Sequence, residues 1–260
     1  MTILEKRREF LEFDSNNNFY IEPENRHSAV RERLFDIIKT YNPKIIVKAG
    51  IGSGRLLLDI AREFDIYMLV VEPSLNIIKD FLQKNREDET IERIKFLNGD
   101  LHDFPVDYYA ADLLICIDYL DIFDSSRCID EFKRALQFDK ILFISGTVLN
   151  SDDIEGLYDD FMRMVFPLHN DYYLENDFRT FLELKGFELM KSMLLKFENN
   201  IKSEIEYFAS IYNDKSEDSA YAFLQSNREK FNELYCMDDE YNFSTSYYIG
   251  TYMRKKPDKS

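Results

Sequence analysis

The segment Ile45–Leu58 constrains the fold more than any other part of the chain. The apolar run Ile45–Ala49 leads into glycines at alternate positions, Gly50, Gly52 and Gly54, and an amphipathic stretch follows. Glycines let a backbone turn tightly and approach a ligand without an intervening Cβ. The start of the next helix offers unpaired N–H groups and the positive end of its dipole. We interpret the segment as a strand, a glycine loop and a helix that cradle a nucleotide, although such a turn can also be purely structural.

The spacing of the glycines restricts which nucleotide is expected. A dinucleotide-binding turn has its third glycine one position later, where Arg55 stands in this chain. A phosphate-binding loop needs a Gly-Lys-Ser/Thr ending, which the segment lacks. The sequence therefore disfavours NAD, FAD and P-loop nucleotides.

Charge further limits the ligand. The 260 residues carry a net charge of −16, with a pI near 4.7. Nucleic acids and anionic membrane surfaces are bound mainly through Lys and Arg, so we expect neither as a partner. An acidic surface mainly promotes solubility, and it also raises the local concentration of a cationic or amine ligand.

Cysteine and histidine positions give no indication of a metal or of a disulfide framework. The three cysteines, Cys116, Cys128 and Cys236, have no metal-ligand spacing and no even disulfide framework, and the histidines His27, His102 and His169 are far apart in the chain. The first nine residues are mostly charged, which is unlike a signal peptide, and no apolar run approaches transmembrane length. We expect a reduced, metal-free protein in the cytoplasm.

Apolar runs alternate with helical patterns, which predicts an α/β fold with a parallel sheet. The predicted strands are Ile45–Ala49, Ile66–Glu72, Arg93–Leu97, Asp112–Asp118, Lys140–Ser145, Phe187–Phe197 and Ser244–Met253. The predicted helices are His27–Tyr41, Arg55–Phe64, Ser74–Asn85, Ser125–Leu136, Asp152–Phe166 and Glu175–Lys185. We expect a single domain over residues 1–260, with an N-terminal lid and helix at 1–42 and a helical insert at 198–243.

Four landmarks in the expected order resemble the class I S-adenosylmethionine (SAM)-dependent methyltransferases, over roughly 20–253. They are the glycine loop, Val70–Ser74 with its acidic strand end, Asn98–Leu101, and Ala111–Leu120. Five βα units followed by the last two predicted strands indicate a Rossmann-like sheet in the order 3-2-1-4-5-7-6. We expect its last strand to be antiparallel and helices to cover both faces.

The resemblance implies a role for each strand end. The glycines Gly50, Gly52 and Gly54 would approach SAM, and Glu72 would bind the ribose hydroxyls. It further implies that Asp100 and the backbone of Leu101 bind adenine, and that Asp118 and Tyr119 line the site of methyl transfer.

Two positions depart from the family pattern. The turn Gln137–Asp139 replaces the usual Pro-Gly-Gly before the fifth strand, and Lys48 stands where most members have an acidic residue that reaches the ammonium of SAM. A lysine there repels an ammonium. Three explanations are open: Lys48 pairs with a carboxylate such as Glu72, it binds the carboxylate of SAM, or SAM binding is weak. We favour the first two.

The N-terminal segment supplies candidates for closing over SAM. Arg26 and Arg31 are candidate donors to its carboxylate, and Tyr20 is a candidate lid residue. Each of the three also has an ordinary structural interpretation as a surface or core residue.

The acceptor pocket is expected between the N-terminal segment, 146–173 and the insert. Aromatic residues concentrate there: Tyr158, Phe161, Phe166, Tyr172, Tyr173, Tyr207 and Tyr212. They suit a small organic acceptor, or an amine through cation–π contacts, and they suit the core of a helical cap equally well. His169 is a candidate general base, with a structural histidine as the alternative.

These observations predict a SAM-dependent methyltransferase that methylates a small molecule by direct displacement. A non-catalytic SAM- or nucleotide-binding protein of the same fold is the alternative, for which Lys48 is the main argument. An NAD-linked oxidoreductase comes third.

Overall fold

The computed structural model describes residues 1–212 and 216–256, and its seven strands form one sheet. The strands are β1 (Ile45–Ala49), β2 (Tyr67–Glu72), β3 (Ile94–Asn98), β4 (Ala111–Ile117), β5 (Leu136–Val148), β6 (Phe187–Asn200) and β7 (Asn242–Arg254). They lie in the order β3-β2-β1-β4-β5-β7-β6. Strands β1 to β5 pair in parallel, whereas β7 runs antiparallel to both β5 and β6. The predicted Rossmann-like sheet is confirmed, including its order and its antiparallel last strand.

The helices follow the strands in the alternation that the sequence predicts, and two of them precede β1. They are α1 (Ile3–Asn17), α2 (Glu24–Tyr41), α3 (Arg55–Glu63), α4 (Leu75–Lys84), α5 (Ser125–Ala135), α6 (Leu157–Val165), α7 (Glu175–Leu184), α8 (Ile201–Tyr212), α9 (Ser216–Ser226) and α10 (Arg228–Tyr235). A short 3-10 helix, Glu89–Arg93, precedes β3. None of the helices within the described ranges has both the length and the apolar character needed to cross a lipid bilayer.

Helix α1 was not predicted. Thr2 caps it through a reciprocal pair of hydrogen bonds, in which Glu5 N–H donates to Thr2 Oγ1 and Thr2 N–H donates to Glu5 Oε2. Its buried residues recur at helical spacing, at Arg7, Phe10, Leu11 and Asp14. This face packs on the core and brings the chain to the start of α2.

Strand β5 begins four residues earlier than predicted. Without the Pro-Gly-Gly turn of the family, α5 runs directly into the strand at Leu136, and Asp139 adopts a left-handed conformation with φ of +61°. The pairing of β4 with β5 shifts register between Ala111 and Leu113. The altered turn therefore produces only a local register shift, which lies far from the carboxyl ends of the strands.

The predicted insert begins three residues later than expected, because β6 continues to Asn200, which pairs with Asn242. Helices α8 to α10 then lie outside the sheet between β6 and β7 in the chain. Residues 213–215 of the insert and residues 257–260 of the charged tail fall outside the described residues.

The carboxyl ends of the parallel strands meet along one edge of the sheet. Lys48 lies near the end of β1, Glu72 is the last residue of β2, and Asp118 directly follows β4. All three are buried, with exposed fractions of at most 4%. Buried charges at one sheet edge identify the place at which to look for a site.

Candidate functional site

The glycine loop after β1 has left-handed backbone conformations at all of its glycines. The φ angles are +75° at Gly50, +63° at Gly52 and +75° at Gly54. A Cβ on Gly50 would lie 2.0 Å from Cζ of Tyr119, and a Cβ on Gly52 would lie 2.5 Å from Cδ of Glu22. Glycine is therefore required both by the backbone conformation and by side chains of this chain that approach the loop.

Lys48 is fully buried beneath this loop. Its Nζ donates to the carbonyl oxygen of Gly50 at 2.9 Å and lies 2.8 Å from Oε1 of Glu22. The expectation of a carboxylate partner is confirmed, but the suggestion of Glu72 as that partner was wrong. Glu22 lies in the connection between α1 and α2, and no local sequence pattern indicated that it would pair with Lys48.

Glu72 instead holds the backbone around it. Its Oε2 accepts a hydrogen bond from Ile51 N–H and its Oε1 accepts one from Ser74 N–H, both at 2.9 Å. Burial raises the pKa of Glu72 to about 7, while the two N–H groups, the charge of Lys48 and the Tyr119 hydroxyl act in the opposite direction. The side chain lies where the resemblance expects a ribose-binding carboxylate, and that role stays a prediction.

Asp100 and Leu101 follow β3, as predicted for an adenine-binding turn. Oδ1 of Asp100 accepts a hydrogen bond from His102 N–H at 3.0 Å, and Leu101 is fully buried. Their proposed contacts with adenine remain a prediction.

Asp118 is the centre of a polar cluster at the end of β4. Its Oδ2 accepts hydrogen bonds from the hydroxyl of Tyr247 at 3.2 Å and from Glu22 N–H at 3.3 Å. An Nη of Arg26 lies 3.5 Å from its Oδ1. Burial raises the pKa of Asp118 to about 7, against the opposing charge of Arg26. Tyr119, next in the chain, is buried against Gly50.

The two N-terminal arginine candidates go to different places. The guanidinium of Arg26 stacks over the ring of Tyr247, 4.8 Å from the ring centroid, and reaches Asp118. Arg31 pairs with Asp59 at 2.9 Å and its side chain is 42% exposed. The structure therefore brings Arg26 to the cluster and leaves Arg31 outside it.

A cavity of about 310 Å³ adjoins this cluster. Its wall includes Tyr20, Arg26, Tyr158, Tyr172, Ser203 and Glu204. The hydroxyl of Tyr20 is hydrogen-bonded to Asp121 and lies 2.8 Å from the hydroxyl of Tyr172. Of the aromatic residues predicted for an acceptor pocket, Tyr158 and Tyr172 line this cavity. Phe161 and Phe166 belong to the buried core.

Glu204 is a site residue that the sequence analysis missed. It lies on α8, where both carboxylate oxygens accept from the hydroxyl of Tyr158 at 3.1 Å. Burial raises the pKa of Glu204 to about 8. The available signal was its position on the apolar face of α8, at helical spacing from Ile201 and Phe208.

His169, the candidate base, is held inside the protein. Its side chain is fully buried, and Nε2 lies 2.7 Å from Oδ1 of Asp159, which also accepts from Tyr172 N–H. The contacts agree with the structural alternative, and a catalytic role for His169 stays an untested prediction.

Comparison with known proteins identifies a methyltransferase domain in this chain and structures that share its fold. Residues 46–165 match a protein-family model described as a methyltransferase domain. No curated protein matches the chain. The BH2331 protein of Bacillus halodurans C-125 has a similar structure, with a TM-score of 0.75 at 14% identity over 87% of this chain and 99% of that one.

Two solved methyltransferases with bound S-adenosylhomocysteine are also similar. Geranyl diphosphate C-methyltransferase of Streptomyces coelicolor A3(2), also bound to Mg²⁺ and geranyl diphosphate, has a TM-score of 0.60 at 14% identity, over 90% of this chain and 82% of that one. Phosphoethanolamine N-methyltransferase 2 of Haemonchus contortus, bound to phosphomonomethylethanolamine, is also similar. It has a TM-score of 0.56 at 13% identity, over 86% of this chain and 53% of that one. At these identities the structures establish a shared fold, and their acceptors differ from each other.

Proposed function

We propose that the chain is a class I SAM-dependent methyltransferase, as the matched methyltransferase domain and the shared fold indicate, and that it transfers the methyl group of SAM to a small-molecule acceptor. The observation that supports this proposal best is the cavity lined by Tyr20, Tyr158, Tyr172 and Glu204. Arg26 lines the same cavity and reaches Asp118 at the carboxyl end of β4. The cavity is of the size that a small ligand needs, and its wall combines aromatic side chains with a larger number of polar and charged ones.

The residues at the strand ends have the chemistry that SAM requires. Glu72 and Asp100 offer carboxylates for ribose and adenine, and the glycines permit close approach of the backbone. The cradle itself is filled, because Tyr119 lies against Gly50 and Glu22 against Gly52. We infer that SAM binding requires both side chains to move.

When bound, SAM supplies a methyl group on a sulfonium that is already activated for displacement. The chain then needs mainly to position the acceptor and to exclude water. Tyr158 and Tyr172 provide flat apolar surface for the acceptor, and Glu204 provides a buried carboxyl group. With a pKa near 8, Glu204 is suited to exchange a proton at neutral pH or to bind an amine. We therefore propose that the acceptor is a small molecule with an ionisable nucleophile, and that an amine is the first class of acceptor to test.

The filled cradle favours one other function, a non-catalytic protein with the methyltransferase fold. Lys48 and Glu22 neutralise each other inside the loop, so the loop is stable without a ligand. A protein that had lost SAM binding could keep such a pair permanently.

A direct assay separates the two functions. The protein is incubated with SAM and a panel of small amines, alcohols and carboxylic acids, and S-adenosylhomocysteine is quantified by mass spectrometry. We expect acceptor-dependent S-adenosylhomocysteine, reduced about tenfold or more in Tyr158→Ala, because the acceptor loses an aromatic wall. An exposed control, Tyr67→Ala, should leave the rate unchanged. No acceptor-dependent product, together with no SAM binding in calorimetry, would favour the non-catalytic alternative.

A further inference from the structure

The carboxylate of Glu22 is bound in the glycine loop as a ligand would be. Oε1 lies 2.8 Å from Nζ of Lys48, and Oε2 accepts from both the backbone N–H and the hydroxyl of Ser53 at 3.2 Å. The glycine at position 52 leaves room for this carboxylate, since any Cβ there would collide with it. Just beyond the loop, α3 begins at Arg55, so that the positive end of its dipole also favours an anion here.

The fit of Glu22 is incomplete. Oε1 is buried and has no donor aligned for a hydrogen bond, so its contact with Lys48 is an ion pair only. A carboxylate on a longer or differently directed ligand can align with the same lysine. The subsite is built by Lys48 and Ser53, and Glu22 uses only part of it.

Glu22 also reaches the loop from a strained position. It lies in the short connection between α1 and α2, with φ of +54°, and Asn18 in the same connection has φ of +49°. A glutamate rarely adopts this conformation, whereas Asn18 has the usual left-handed geometry of a helix C-cap. The N–H of Glu22 makes one long hydrogen bond, 3.3 Å from Asp118. Release of the carboxylate would free Glu22 to leave this backbone conformation, which favours its exchange for another anion.

We propose that Lys48 and Ser53 form a carboxylate-binding subsite, that Glu22 occupies it in the closed conformation, and that the carboxylate of SAM displaces Glu22. The last step rests on the proposed function. The subsite accounts for the lysine where the family has an acidic residue: Lys48 is complementary to the carboxylate of the ligand and not to its ammonium. Glu22 keeps the buried lysine neutralised until that carboxylate arrives.

The subsite can be tested without SAM. Glu22→Ala empties it, and acetate is the probe. We expect sodium acetate to raise the Tm of Glu22→Ala relative to sodium chloride at equal ionic strength, and to leave the wild type unchanged. The matched control is Glu24→Ala, because Glu24 lies two residues away, is exposed and pairs with Arg55. Equal Tm values in the two salts for Glu22→Ala would overturn the subsite.

Displacement by the cofactor is tested by calorimetry on Glu22→Gln, which keeps the shape of the side chain and removes its charge. We expect S-adenosylhomocysteine to bind this variant about tenfold more tightly than the wild type. The affinity for 5′-methylthioadenosine, which lacks the amino-acid carboxylate, should be the same in both proteins. Unchanged or weaker S-adenosylhomocysteine binding in Glu22→Gln would overturn the displacement step. Rescue by acetate without any S-adenosylhomocysteine binding would retain the subsite and refute the proposed function.

Discussion

Nζ of Lys48 and Oε1 of Glu22 lie 2.8 Å apart, and neither side chain is more than 4% exposed. Removal of either partner from a buried ion pair destabilises the protein, because the remaining side chain is left charged and without solvent. Both residues contact the glycine loop, so we expect the same pair to couple the stability of the protein to ligand binding at this loop.

Replacement of Lys48 by aspartate should weaken ligand binding and destabilise the fold. Lys48→Asp would bring a third carboxylate beside Glu22 and Glu72, and we expect a loss of about 3–5 kcal/mol in the free energy of unfolding. Urea denaturation measures the stability and calorimetry measures binding of S-adenosylhomocysteine. Tighter binding in Lys48→Asp would show that the lysine only repels the ligand.

The pair itself is tested by a double substitution. Lys48→Met alone should lower the free energy of unfolding by about as much as Lys48→Asp does, because Glu22 becomes an unpaired buried charge. Lys48→Met combined with Glu22→Gln should recover more than half of that loss, since a neutral pair of similar shape leaves no buried charge. Additive losses in the double variant would contradict the coupling.

Glu72→Ala should lower the affinity for S-adenosylhomocysteine more than about tenfold, because a charged acceptor of two ribose hydrogen bonds is lost. The structure adds an effect on stability that the sequence did not indicate. Ile51 N–H and Ser74 N–H lose their buried acceptor, which should cost about 2–4 kcal/mol. Glu72→Gln keeps an acceptor for one of them and should lose less. Full affinity in Glu72→Ala would remove this residue from the site.

Stability should fall as the pH rises from about 4.5 to about 8. Burial raises the folded-state pKa of Glu204 to about 8, and it raises that of Glu72 and of Asp118 to about 7. In this range the folded protein holds protons that the unfolded chain has released, so each of these groups lowers stability as the pH increases. Urea denaturation across this range measures the slope.

Glu204→Gln should make that slope shallower above pH 7, where Glu204 is the group still releasing its proton. The control is Glu206→Gln, an exposed neighbour on the same helix, which should keep the wild-type slope. Identical slopes for wild type and Glu204→Gln would contradict the raised pKa.

The sheet was predictable because each strand carries its own local signal. Apolar runs ended by Gly50, Glu72, Gly99 and Asp118 fixed the parallel strands, and the alternation in β7 indicated an antiparallel partner. Helix α1 was predictable but missed: Thr2 and Glu5 have capping-box spacing, and Phe10, Leu11 and Asp14 share a face.

The occupant of the glycine loop was not predictable in the same way. A buried lysine in β1 requires a carboxylate, but Glu22 and Lys48 are brought together only by the packing of α1 and α2 on the sheet. No local pattern distinguishes Glu22 from the many other acidic residues of this chain. For the same reason the sequence suggested Glu72, the nearest strand-end carboxylate, as the partner of Lys48.

A crystal structure of the protein with S-adenosylhomocysteine would show which groups bind the carboxylate of the ligand. We predict this carboxylate within about 3.5 Å of Nζ of Lys48 and of the N–H of Ser53, with Glu22 withdrawn from both. We also predict that Tyr119 has moved away from Gly50 and that Glu72 faces the ribose. A bound ligand with the Glu22–Lys48 pair intact and its carboxylate held elsewhere would contradict displacement of Glu22.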